Sequence, residues 1–258
     1  MAYGRTHLKI VLAWAACIGI SVGATVLFAA TSNPSATEDA EIAKSLAAML
    51  RAGRTVISQN QDRINDPNVG NKGLDGRTVL QQAVKLYQEA TGVDPVSIDP
   101  KSPLGKLIRA QMDSIVEVIE SHQQTINRQG VGFKGFIPAV FARLVNEAFS
   151  RRAGSIAAMK VTAPPQLIRN RRAQPDEWET EVIRDKLSSP GWPKDQSYAA
   201  ITVNNGRPAY RTAVPEYYGR SCLACHGSPK GEIDITGYPK DGAKEGDLGG
   251  VISITLFH

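Results

Sequence analysis

Apolar side chains recur at helical spacing through the first half of the chain and at strand spacing through the second. Ile42, Leu46, Met49, Gly53 and Val56 form one stripe, which a Ser35-x-x-Glu38 capping box opens and which fades near Asn65. Asp66 to Gly76 is rich in Gly, Asn and Pro and reads as loop. A second helix is predicted from Arg77 to Thr91, with Leu80, Ala83, Val84 and Tyr87 on one face and Gly92 as its C-cap. After a loop with two Asp-Pro pairs, Ile108, Met112, Ile115, Ile119, His122 and Ile126 predict one long helix from Ser102 to Gln129, antiparallel to the first. A fourth helix opens at Pro138, with Ile137, Val140, Phe141, Leu144, Val145, Ala148 and Phe149 on its apolar face.

From Ser155 the period changes. Ile156 to Val161 reads as a strand, and Asp176 to Leu187 as a helix. Tyr198 to Val203 and Pro208 to Val214 are β-like runs joined by Asn204-Asn205-Gly206, a hairpin signal. Gly227 to Asp247 is a long Gly/Pro/Lys loop, and Val251 to Phe257 closes the chain as a β-branched strand. Helices followed by a late group of antiparallel strands predict an α+β fold.

Ahead of all this, Ile10 to Ala30 run 21 residues without a charge, behind Arg5 and Lys9. That length spans a bilayer as a helix. The competing reading is a cleavable signal, since Phe28-Ala29-Ala30 ends in small residues; the length favours the anchor. In both cases the positive end stays in the cytoplasm and the remainder is exported. The expected organisation is residues 1–30 as anchor or signal, 31–37 as a polar linker, 38–130 as a helical region and 131–258 as a second, sheet-bearing part.

The formal charge is +5 over 258 residues, but the basic residues are scattered. Arg151-Arg152 and the run Arg169 to Arg172 lack interleaved aromatics, so they read as solvated faces or as partners for haem propionates, and no nucleic-acid surface is expected.

The chemistry concentrates in Cys222-Leu223-Ala224-Cys225-His226-Gly227. A C-x-x-C-H run is the attachment signal for c-type haem. Two thiols on one tight turn form thioethers to the porphyrin, and the adjoining His226 supplies the proximal imidazole to iron. A zinc site would want a second ligand pair, yet the one further cysteine is Cys17, in the apolar segment. A thioredoxin-like motif would want a βαβ context, which the flanks do not offer.

Arg169-Asn170 in the run RNRRAQPDEWE, the run CLACHG and the closing EGDLGGVISI together resemble the c-haem, PAS-like (Tll-like) sensor family. Its members serve as periplasmic parts of bacterial sensors and as a stand-alone c-type haem protein. The likeness covers Val131 to Leu256, with a helical front end from Glu38. It implies a PAS-like antiparallel sheet carrying one covalent haem, held by Cys222 and Cys225 with His226 on iron, and with Arg169 and Asn170 against the cofactor. The family's usual Arg-Asn-Pro-x-Asn reads Arg-Asn-Arg-Arg-Ala here. In the stand-alone relative a cysteine just before the fourth helix is the second axial ligand, whereas the matching position here is near Phe133 and no cysteine lies near it.

His122 is the sharpest candidate for the far side of the iron, because a histidine on an Ile/Met stripe is out of character. Met112, Met159, Met49 and His258 are weaker candidates, more at home as packing or solvated residues, and an open position competes with all of them. The expected function is an exported, membrane-anchored single-haem cytochrome that senses redox state or a small ligand and works through a separate signalling partner. The alternatives are a tethered periplasmic electron carrier and a haem peroxidase; no catalytic residue is assigned.

Overall fold

The computed structural model describes residues 1–2 and 34–258; the apolar run Ile10 to Ala30, Cys17 and positions 31–33 of the expected linker lie outside the described residues. Among the described residues no helix is long and apolar enough to cross a membrane.

Six helices come first: α1 (Pro34–Gln59), α2 (Gln61–Asn65), α3 (Gly76–Thr91), α4 (Pro103–Ser121), α5 (Gln123–Ile126) and α6 (Pro138–Ala153). The chain then forms β1 (Ala157–Thr162), α7 (Glu177–Val182, running into a π turn Ile183–Leu187), β2 (Tyr198–Asn204), β3 (Arg207–Tyr217), α8 (Leu223–His226) and β4 (Leu248–Phe257). The four strands make one antiparallel sheet in the order β1-β4-β3-β2. This is the α+β arrangement the periodicity predicts.

Local chemistry explains several element ends. Asp75 caps α3 by accepting from the Thr78 amide, and Gly92 ends it in the left-handed region. Ser102 caps α4 ahead of Pro103. Asp176 and Glu179 form a reciprocal capping box on α7. The β2–β3 hairpin turns on Asn205 and Gly206, both at positive φ, as a two-residue loop of primed type requires.

Three expectations are corrected. The helix expected to open at the Ser35-x-x-Glu38 box is already helical at Pro34, so that box lies inside its first turn. The same stripe breaks at Asn60, whose side-chain amide donates back to the Val56 carbonyl and separates α1 from α2. The long helix expected from Ser102 to Gln129 breaks at His122, which leaves helical geometry at φ −110°. There the Ser121 hydroxyl donates to the Val118 carbonyl and the His122 ring binds the same oxygen, so side chains replace the continuing ladder.

One core joins helices and sheet. Leu46, Leu50 and Val56 of α1, Ile108 and Ile115 of α4 and Phe141, Val145 and Phe149 of α6 meet Ala157 and Met159 of β1 and Ile252, Ile254 and Leu256 of β4, all buried. Residues on both sides of position 130 therefore share one core, and the change from helix to strand comes later, between α6 and β1. On the opposite face of the sheet, Val182, Ile183 and Leu187 pack on Ala213 and Val251. This assembly leaves the end of β3 against α1: Glu216 binds Arg51 at 2.6 Å and also Arg54, and Arg51 donates to the Pro215 carbonyl. The C-x-x-C-H turn follows directly.

Candidate haem site

The motif sits on a short turn. Cys222 ends a 3-10 stretch from Arg220, its amide donating to the Gly219 carbonyl, and Leu223 to His226 complete one helical turn. Both thiols are free and half-buried. Burial, and then the charge of Asp234, push the Cys225 thiol up from its ordinary range.

The expected loop from Gly227 to Asp247 is a loop, but an ordered one that folds back along the motif. The Ala243 amide donates to the His226 carbonyl at 2.8 Å, and the Gly242 amide to that of Gly227 at 3.0 Å. Tyr218 is bracketed in the same way, its amide on the Asp247 carbonyl and its carbonyl on the Gly246 amide. These bonds bring Asp241 to His226, whose Nδ1 binds the Asp241 carboxylate. Tyr218 lies beside the imidazole, its hydroxyl 3.1 Å from Nδ1 and its ring stacked at 4.7 Å between centroids.

Gly249 makes room for that ring. A Cβ at residue 249 would fall 2.6 Å from Tyr218 Cζ. Gly249→Ala is expected to cost about 1–3 kcal/mol by overpacking and to swing Tyr218 off the imidazole. Urea denaturation reads the first effect. The Tyr218 ring signals against those of His226 in NMR read the second.

Arg169, expected against the cofactor, is bonded to the loop around the motif. Its guanidinium binds Asp234 at 2.6 Å and Asp241 at 3.4 Å, and donates to the carbonyls of Cys225 and Pro239 at 3.0 and 3.1 Å. Its own carbonyl accepts from the Tyr238 hydroxyl. The side chain is thus committed to tying the motif to its loop. Asn170 is likewise occupied, its side chain accepting from the Arg172 amide at the start of the Arg171–Ala173 turn. Both residues shape the site through the loop. Burial works against ionisation of Asp234, but the bonds it accepts from the Thr236 side chain, from Arg169 and from the amides of Thr236 and Tyr238 hold its carboxyl well below the usual carboxylate range.

The proposed distal ligands are not gathered at the motif. The His122 Nδ1 lies 2.8 Å from the Val118 carbonyl and its ring packs on Phe136 at 5.3 Å. Met49, Met112 and Met159 are buried in the core, with the Met159 sulfur 3.6 Å from the Gln111 amide nitrogen. His258 binds Asp39 at 3.0 Å. Arg151 and Arg152 both bind Glu117 of α4.

Do these residues fit a haem? The chemistry of the donor set says so. A metal-ligating histidine characteristically donates its second ring N–H to a carboxylate or carbonyl, which fixes the tautomer. His226 does this through Nδ1, and among the described residues Nε2 has no hydrogen-bond partner. The two thiols share the same turn. Tyr218, Asp234, Tyr238 and Asp241 are the residues that sequence reasoning missed.

The helices, the antiparallel sheet and this turn define a class: a PAS-like α+β domain of the haem-binding sensor type. The chain belongs to the Tll0287-like family, whose model matches residues 34–256. No curated protein and no solved structure matches it at a significant level.

Proposed function

We propose that this chain is an exported single-haem c-type sensor domain, held at the bacterial inner membrane by the segment Ile10 to Ala30, with its main domain in the periplasm. Cys222 and Cys225 hold the haem through thioethers, and His226 ligates the iron through Nε2. When bound, the haem supplies a one-electron redox centre and a metal able to take a small ligand.

The observation that carries this reading is the His226 ring, its Nδ1 engaged by Asp241 and its Nε2 without a hydrogen bond among the described residues, on the turn that bears both thiols. A distal position open to a diatomic gas or peroxide is supported by the places of the other donors. His122 is turned onto its own helix and Phe136, His258 is on Asp39, and Met49, Met112 and Met159 are in the core. A sensing role, rather than simple electron carriage, draws support from the clamp of Glu216 on Arg51 and Arg54. It links the strand entering the motif to α1, the helix that follows the N-terminal segment. A separate partner protein receives the signal.

Carbon monoxide tests the reading. The reduced holoprotein is expected to bind it rapidly, with no native sixth ligand to displace, and His122→Ala is expected to leave the spectrum unchanged. A six-coordinate spectrum whose oxidised form shows a methionine charge-transfer band, with slow or no carbon monoxide binding to the reduced form, would reject the sensor in favour of a carrier.

A further inference from the structure

Asp241 offers His226 a charged acceptor in place of a neutral one. Its carboxylate accepts a hydrogen bond from Nδ1 of the imidazole, while the Tyr218 hydroxyl lies 3.1 Å from the same nitrogen and the stacked Tyr218 ring fixes the plane of the imidazole. The Asp241 side chain is only 16% exposed, so water does not compete freely for it. Arg169 is the cation nearest to it, yet Arg169 lies 2.6 Å from Asp234 and 3.4 Å from Asp241. Its charge is thus spent mainly on Asp234, and that of Asp241 is left for the imidazole.

A ligand that donates its second proton to a carboxylate is more basic than one bonded to a carbonyl, and outer-sphere partners of this kind tune the metal. A more basic ligand stabilises the more highly charged iron. We propose that Asp241 is a positioning residue that gives His226 imidazolate character, with Tyr218 holding the ring to it, so that the haem iron rests in the ferric state. This rests on the reading of His226 as the proximal ligand.

The test is the midpoint potential of the holoprotein and its Asp241→Asn variant, with the iron–histidine stretch of the reduced form by resonance Raman. Asn keeps the size and removes the charge. The variant is expected to retain covalent haem by mass. Its potential is expected to rise so that the reduced-to-oxidised ratio at a fixed poise grows at least tenfold, which is about 59 mV for one electron. The stretch is expected to move to lower frequency, and Asp241→Glu to recover part of both changes. Tyr218→Phe, which keeps the stacked ring, should move the potential less than Asp241→Asn.

Haem-bearing Asp241→Asn with an unchanged potential and stretch would overturn the proposal alone. If that variant fails to mature, the wild-type stretch decides: a high, imidazolate-like frequency supports the proposal and a low one overturns it. Wild-type chain that carries no covalent haem would overturn both this proposal and the reading beneath it.

Discussion

Arg169→Ala is expected to lower the free energy of unfolding by about 3–5 kcal/mol, the cost of removing one partner from a buried ion pair. The Asp234 side chain is wholly buried and Arg169 is mostly so. Without the guanidinium, Asp234 keeps the Thr236 and Tyr238 bonds but loses its countercharge. The Cys225 and Pro239 carbonyls lose their shared donor at the same time. The loop should loosen from the motif, seen as faster amide exchange at Gly242 and Ala243, the two amides that pair with the motif's carbonyls. Acid adds a second signature. The carboxyl of Asp234 is depressed in the folded chain, so its contribution is fully present above the unfolded value near pH 4. It is lost as pH falls through the lower, folded value. Denaturation at stepped pH should therefore show a steeper acid loss in the wild type than in Arg169→Ala. Equal slopes and equal stability would reject the role given to this arginine.

Phe141→Ala is expected to cost about 3–5 kcal/mol, a large share of the roughly 5–15 kcal/mol that holds a domain together. Phe141 is fully buried on α6, edge-on to Phe136 at 6.3 Å. It also explains Gly53 in the stripe of α1: a Cβ there would stand 3.0 Å from Phe141 Cε1 and 3.4 Å from Ile115 Cδ1. The glycine lets α1 approach α4 and α6 closely, and nothing on α1 can refill the space if the ring goes. Gly53→Ala alone sets a helix gain of about 1 kcal/mol against that tight contact. In the Phe141→Ala background the contact is gone and the gain stands alone. A urea-denaturation double-mutant cycle should therefore show coupling of about 0.5–3 kcal/mol, the range for touching residues. Strict additivity would contradict the packing described.

The helical layer was legible because its cues are local. Gly92, Pro103 and Pro138 mark helix ends at the element boundaries, and the stripes of α1, α4 and α6 face one core. Asn205-Gly206 marks the hairpin for the same reason. The break at His122 was not legible, since the four-three spacing runs straight through it and the competing bond to Val118 is a side-chain choice that periodicity does not encode. The motif's own residues could be read from spacing alone. Their supports could not. Tyr218, Asp234 and Asp241 stand in a polar stretch with no regular interval, and only the folding back of the loop aligns them with His226 and Arg169. The resemblance marks Arg169 and Asn170 as site residues, but their bonds to the Cys225 carbonyl and the Arg172 amide are set by the fold and not by any spacing. The one hint in the sequence was Gly249, whose missing side chain leaves space for Tyr218.

The central claim is that Cys222 and Cys225 bear a covalent haem whose iron His226 grips. Intact mass, with the pyridine haemochrome spectrum, of chain matured in a host with working haem-ligation machinery tests it most directly. The account predicts a polypeptide heavier by one haem, with a two-thioether haemochrome, and a bare mass for the Cys222→Ala, Cys225→Ala double variant. Colourless wild-type protein at the mass of the bare chain would contradict it.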